Sequence, residues 1–222
     1  MKDPYYNRSE VSNSDLSWIK KYWQMQDEII DAEKAYRFGT LLDCMITEPQ
    51  KVNHYKLTCA GQFYTNAEFE LAEQMKRSFY RDQLASHLAR NSDFQKVSVR
   101  KDFPIHHRGV DFTMNVRCKW DLYAHHRVRL SGDIKSTMAT TQKQFVEACD
   151  YFDYFRQRAW YMDIEGHDKD VIIGVSKVNL QVFKVAISKG DAYYQKGKAQ
   201  YEQLAFRWWQ MFGEDKNFLT NQ

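Results

Sequence analysis

At 222 residues, 43% of them hydrophobic and 15% aromatic, the chain is long enough for one domain with a single continuous core. Only nine Gly and three Pro argue against a disordered or linker-like polypeptide, and a net charge of +3 does not identify a nucleic-acid binder by bulk charge, so any basic groove must be local. The four cysteines (Cys44, Cys59, Cys118, Cys149) have no CxxC or Cys–His spacing, which argues against a zinc or iron–sulfur site and for reduced, mostly buried thiols.

In chain order, Ser14-Asp15 opens an amphipathic helix through Leu16, Ile19, Trp23 and Met25. A second helix is predicted from about residue 28 to Thr47, stopped by Glu48-Pro49. Thr65 with Glu68 three residues on reads as a capping box, starting a charged helix that runs to Ala89. Strands follow at Lys96–Phe103, Val110–Tyr123 and Val128–Lys135. A helix is then expected from Thr141 to Met162, burying Phe145, Cys149, Phe152, Phe155 and Ala159. Short strands at Val171–Val175 and Gln181–Ile187 precede a last helix from Lys189 to Phe212, whose many aromatic residues read mostly as core and in part as an oligomer interface. The order implies an α/β (α+β) domain over residues 1–222, with a central sheet flanked by helices. The polar start MKDPYYNRSE and the lack of an apolar run of about 18 residues point to a soluble, cytoplasmic protein with no membrane partner.

The segments WDLY and SGDIKST carry the chemistry. Period-two alternation puts Val110, Phe112, Met114, Val116, Cys118, Trp120 and Leu122 on one strand face and Asp121 on the other. Val128, Leu130 and Ile134 share a face of the next strand, opposite Asp133 and Lys135. A turn near residue 127 sets Asp121 across from Asp133, at roughly 5 Å between Cβ atoms. Facing carboxylates repel unless a cation lies between them, so a divalent metal with a lysine beside it is the natural reading. The plainer reading is of solvated strand acids paired with Arg117, Lys119 or Arg129. The pairs His106-His107 and His125-His126 read as loop or surface residues, since strand neighbours point in opposite directions.

The pattern Asp121…Asp133-Ile134-Lys135 resembles that of the PD-(D/E)xK nuclease superfamily. VSNSDLSWIK, KAYRFGTLLDCMITEP, VRCKWDLY, GDIKSTMATTQKQF and YFRQRAWYMD together resemble, in order, the exodeoxyribonuclease VIII-like (RecE-type) exonucleases of prophages. The likeness spans about residues 9–205 and implies a restriction-endonuclease-like core and metal-dependent hydrolysis of DNA. In it, Asp121, Asp133, Lys135 and Gln157 would be catalytic. Asp121, Asp133, the Ile134 carbonyl and Asp43 would hold magnesium, or manganese, with Asp43 standing where this branch usually has a histidine. Lys135, with its pKa lowered, would help deprotonate the attacking water. Ser136, Thr137, Lys143, Arg156, Arg158 and Tyr161 would meet the DNA backbone. The implied partners are duplex DNA ends, a single-strand annealing protein and further copies of the chain. Alternatives are a repair or restriction nuclease of the same fold and a catalytically silent DNA-binding or phage assembly module.

Overall fold

Side-chain caps decide where several helices begin. The computed structural model describes residues 4–24, 32–124 and 130–213. Helix α1 (Asn13–Gln24) starts where the Ser12 backbone N–H and hydroxyl both reach the Asp15 carboxylate, at 2.8 and 2.7 Å. It buries Leu16 and Ile19 but leaves Trp23 half in water, against expectation; Met25 lies outside the described residues. Helix α2 (Ala32–Thr47) stops before Pro49 as predicted. A small antiparallel sheet of β1 (Val52–Asn53), β2 (Thr58–Cys59) and β3 (Gln62–Phe63) follows, which the pattern did not foretell.

The Thr65–Glu68 capping box forms and opens α3 (Asn66–Arg81). The helix expected to continue to Ala89 breaks at Asp82, whose extended backbone and carboxylate cap a new helix, α4 (Gln83–Arg90), through the Ala85 N–H at 3.0 Å. Strands β4 (Ser92–His107), β5 (Val110–Ala124) and β6 (Leu130–Thr137) come next. The single helix expected from Thr141 to Met162 is two, α5 (Gln142–Tyr151) and α6 (Tyr154–Glu165), hinged at Asp153 with φ +57°. Phe152 sits in that break and is exposed instead of buried. Strands β7 (Lys169–Ser176) and β8 (Val182–Ser188) and helix α7 (Ala192–Phe212) complete the described chain.

The main sheet runs β4-β5-β6-β7-β8. Its pairs are antiparallel except β6 with β7, which are parallel and joined across α5 and α6. Helices cover both faces, so the middle of β7 is apolar on both: Ile172 enters the core containing Leu16, Trp120, Phe145 and Trp160, while Val171, Ile173 and Val175 enter the core containing Leu41, Met75 and Phe79. The protein is thus α/β, a five-stranded mixed sheet between helical layers. Among the described residues no helix is long and apolar enough to cross a membrane.

Candidate active site

The site lies where β5 and β6 part. Their described ladder holds the pair Leu122–Gly132, and extending that register by one residue sets Asp121 across from Asp133. There the side chain replaces the ladder: the Ile134 N–H donates to Asp121 Oδ2 at 2.9 Å. Alternation along β5 also slips by one residue at this point. Trp120 belongs to one core, Leu122 to the other, and Tyr123 packs back against Trp120 at 5.9 Å between ring centroids. Leu122 therefore does not share the Trp120 face, as strict alternation had it. On β4, Gln95 falls opposite Asp121 between the Phe94–Leu122 and Lys96–Trp120 pairs, with φ +56°. The register is the same on either side, so the slip inserts no residue; the register shift of the β4–β5 pair lies farther along, between Arg100 and Phe103.

Gln95 joins the site to α2. Gln95 Nε2 donates to both Asp43 oxygens, at 3.1 and 3.0 Å, and to the Thr47 hydroxyl at 3.0 Å; Thr47 Oγ1 also donates to Asp43 Oδ1 at 3.1 Å. Asp133 is buried, with Lys135 Nζ 2.8 Å from Oδ2 and Arg158 Nη1 3.1 Å from Oδ1. Lys135 approaches off the hydrogen-bonding direction, so the contact is an ion pair and Oδ2 keeps no aligned donor. Arg158 is wholly buried between the Trp120 and Tyr161 rings, 4.8 and 4.6 Å from their centroids, and its Nε donates to Asp170 Oδ2 at 2.7 Å.

The electrostatics follow from this crowding. Burial, then repulsion from Asp43 and Asp133, pushes the Asp121 carboxyl well above the ordinary range. Burial pushes Asp43 up to about 7, with the Cys44 thiol adding to it. Asp170 is raised to about 7 by burial, against the pull of Arg158. Burial opposes the charge on Lys135, but Asp133, Tyr154 and Asp121 outweigh it and hold the ammonium protonated. These surroundings raise its pKa; the lowering expected of it belongs to a lysine beside a bound metal.

Four carboxyl groups, Asp43, Asp121, Asp133 and Asp170, thus face two cations, the half-buried Lys135 and the buried Arg158, with Lys119 attracting Asp43 more weakly. This excess of negative charge and the undirected Asp133 Oδ2 fit a divalent cation. Among the described residues, however, no three acidic, histidine or cysteine side chains converge as a ligand group. Asp43, expected as a ligand, accepts hydrogen bonds from Gln95 and Thr47. A magnesium ion that takes one or two carboxylates, keeps several waters and accepts a backbone carbonyl matches Asp121, Asp133 and Ile134 better than a closed protein cage does.

Of the residues expected at the DNA, Lys143 is exposed on the first turn of α5, and Ser136 is half-buried with its hydroxyl beside Gly39, 3.9 Å from where a Cβ would stand. The Thr137 hydroxyl accepts the Ala139 N–H at 3.1 Å. Three others sit inside the protein and present no surface to a phosphate. Arg158 is the internal cation just described. Arg156 is buried against Asn13 Oδ1 (3.0 Å), Ser17 Oγ (2.6 Å) and Asp153 Oδ2 (3.1 Å). Tyr161 is buried edge-on to Trp120, with Gln157 Nε2 3.5 Å from its hydroxyl; Gln157 is the less buried of the two. All three lie on α6, which is enclosed on nearly every side.

The sequence reading missed Gln95, Asp170 and His167, whose Nδ1 meets Ser131 Oγ at 3.0 Å beside Trp120 and Tyr123. Asp170 had a readable signal, an acid just ahead of the apolar run Val171–Val175 in a strand that must be buried on both faces. His106 is exposed and paired with Asp111 at 2.7 Å, and His107 tilts against Phe206 at 5.2 Å. His125 and His126 lie outside the described residues.

This fold has been seen before. A protein from Eubacterium rectale described as a candidate exonuclease superposes with a TM-score of 0.55 at 18% identity, over 82% of this chain and 67% of that one. A phage-related exonuclease from Haemophilus somnus 129PT aligns more loosely, with a TM-score of 0.42 at 14% identity, over 92% of this chain and 96% of that one. At such identities the likeness is one of fold. No family model matches the chain, and neither does any curated protein.

Proposed function

We propose that the protein is a metal-dependent deoxyribonuclease of the PD-(D/E)xK type that hydrolyses phosphodiester bonds, acting as an exonuclease on duplex ends in phage or prophage recombination. The observation that carries this reading is the meeting of Asp121, Asp133 and Lys135 where β5 and β6 diverge. An exonuclease description attached to the Eubacterium rectale neighbour supports it. A bound magnesium or manganese ion would supply charge neutralisation at the scissile phosphate and an activated water. Asp121, Asp133 and the Ile134 carbonyl would hold it. Asp133 also anchors the Lys135 ammonium, which would orient the water and stabilise charge on the phosphate. Arg158 and Asp170 hold Asp133 from behind. The exposed Lys143 and the Ser136 hydroxyl are the groups left to meet the DNA backbone. A ring-forming oligomer and a single-strand annealing partner belong to this reading.

Two observations favour the competing reading, a silent DNA-binding or assembly module: both Asp43 oxygens are satisfied within the protein, and Lys135 already neutralises Asp133. End-labelled linear duplex DNA, incubated with the protein in magnesium or in EDTA, separates the two. Magnesium-dependent release of mononucleotides that disappears in Asp133→Asn supports the enzyme. No release with any divalent metal on any DNA substrate overturns it.

A further inference from the structure

Between α5 and α6 the chain spends conformational energy to place two aromatic rings in water. Tyr151 is 71% and Phe152 56% exposed, although both flank a helix pair otherwise packed into the core. The turn is held rigidly. Asp153 adopts a left-handed backbone, unusual outside glycine, and its carboxylate is gripped by Lys20 of α1 at 2.6 Å and by Arg156 at 3.1 Å. Arg156 is itself fixed by Asn13 and Ser17. Two salt bridges thus fix the turn that carries these rings, which gain little from burial.

The rings form a ladder into the candidate site. Phe152 lies nearly parallel to Tyr154, with centroids 5.7 Å apart and 25° between planes. Lys135 Nζ sits 4.6 Å from the Tyr154 ring centre. Tyr151 stands edge-on to Phe152 at 4.9 Å, bracing it. A flat, water-exposed ring stacked toward the lysine at a phosphodiester centre suits a nucleobase: any base offers a π-face, so such stacking tolerates every sequence. A base inside a duplex already has both faces covered. The geometry points to an unpaired base, at a single-stranded or frayed DNA end, stacking on Phe152 while its phosphate lies at Lys135. The inference rests on the nuclease reading for the role of Lys135, but the stacking can be measured without hydrolysis.

The probe is a single-stranded oligodeoxynucleotide carrying 2-aminopurine near its end, titrated with the protein in EDTA and followed by fluorescence. Stacking quenches the fluorophore. Because the side chains are exposed, Phe152→Ala and Tyr151→Ala should fold normally, as circular dichroism will verify. Phe152→Ala is expected to lose the quenching and weaken single-strand binding about tenfold, from the loss of one base–aromatic stack. Phe152→Trp should restore both, and affinity for a blunt, GC-clamped duplex should not change. Quenching and affinity in Phe152→Ala equal to wild type would overturn the proposal, as would an equal loss on the duplex or no single-strand binding by the wild type. Ring-dependent binding without hydrolysis in any metal would leave the platform standing and remove the nuclease. Hydrolysis with ring-independent binding would do the reverse.

Discussion

Replacing Arg158 by methionine tests the electrostatic frame of the site most directly. The Arg158→Met variant keeps an unbranched stem between Trp120 and Tyr161 but removes the cation that reaches Asp133 at 3.1 Å and Asp170 at 2.7 Å. Both carboxyl groups are buried, so the change leaves charges that water cannot reach. Breaking a buried pair from one side costs about 3–5 kcal/mol. In a chain of this size that corresponds to a fall in Tm of roughly 10 °C. The loss should also depend on pH, with a sign fixed by Asp170. Its folded pKa is already raised to about 7, against about 3.9 in an unfolded chain, and losing Arg158 raises it further. A carboxyl raised on folding destabilises when ionised, and is relieved as pH falls from the folded value toward the unfolded one. Urea unfolding at pH 8, 6.5 and 5 should therefore show the largest deficit at pH 8 and the smallest at pH 5. Adding Asp170→Asn should recover part of it at pH 8. A deficit below about 1 kcal/mol at pH 8, in the range of exposed ion pairs, or one that grows as pH falls, would refute the argument.

Asp121→Asn keeps an acceptor for the Ile134 N–H but removes the charge crowded against Asp43 and Asp133. It should stabilise the fold by about 1 kcal/mol in a melt at pH 8 while lowering magnesium-dependent hydrolysis at least about a hundredfold. Asp43 is raised to about 7, so it too stabilises the wild type as pH falls from 8 toward 5; in Asp43→Asn that part of the urea-midpoint rise should be missing. Gly197→Ala would put a Cβ 2.1 Å from the Phe155 carbonyl oxygen, forcing α7 off α6, and should cost about 1–3 kcal/mol or more by urea unfolding.

Local rules were legible in the sequence wherever a few neighbouring residues sufficed. The Thr65–Glu68 box, the Pro49 stop and the alternation of β6, with Leu130 and Ile134 on one side and Asp133 and Lys135 on the other, all follow from spacing. The central sheet with helices on both sides follows from the order of elements. What escaped depends on partners far along the chain. A helix reader has no reason to break at Asp153, because the left-handed turn is held by Lys20, about 130 residues earlier. The same holds for Arg156 and Arg158, which look like surface charges until α6 is enclosed.

Asp170 shows how a long-range partner is nevertheless dictated. The parallel pairing of β6 and β7 matches Asp133 with Ile172 and Ser131 with Asp170, so Asp170 must share the Asp133 face, one step along the neighbouring strand. Two buried acids that close require a cation between them, and α6 crosses that face and supplies Arg158. The slip at Asp121 obeys a different logic. Strict alternation would put Leu122 in the Trp120 core; the one-residue slip sends it to the opposite core and leaves Asp121 between the sheets of side chains, free to bond the Ile134 N–H. A regular strand would have fitted the periodicity better and closed the β5–β6 ladder. The chain instead interrupts that ladder at the two acids, where the Asp121 carboxylate takes the Ile134 N–H in place of a backbone carbonyl.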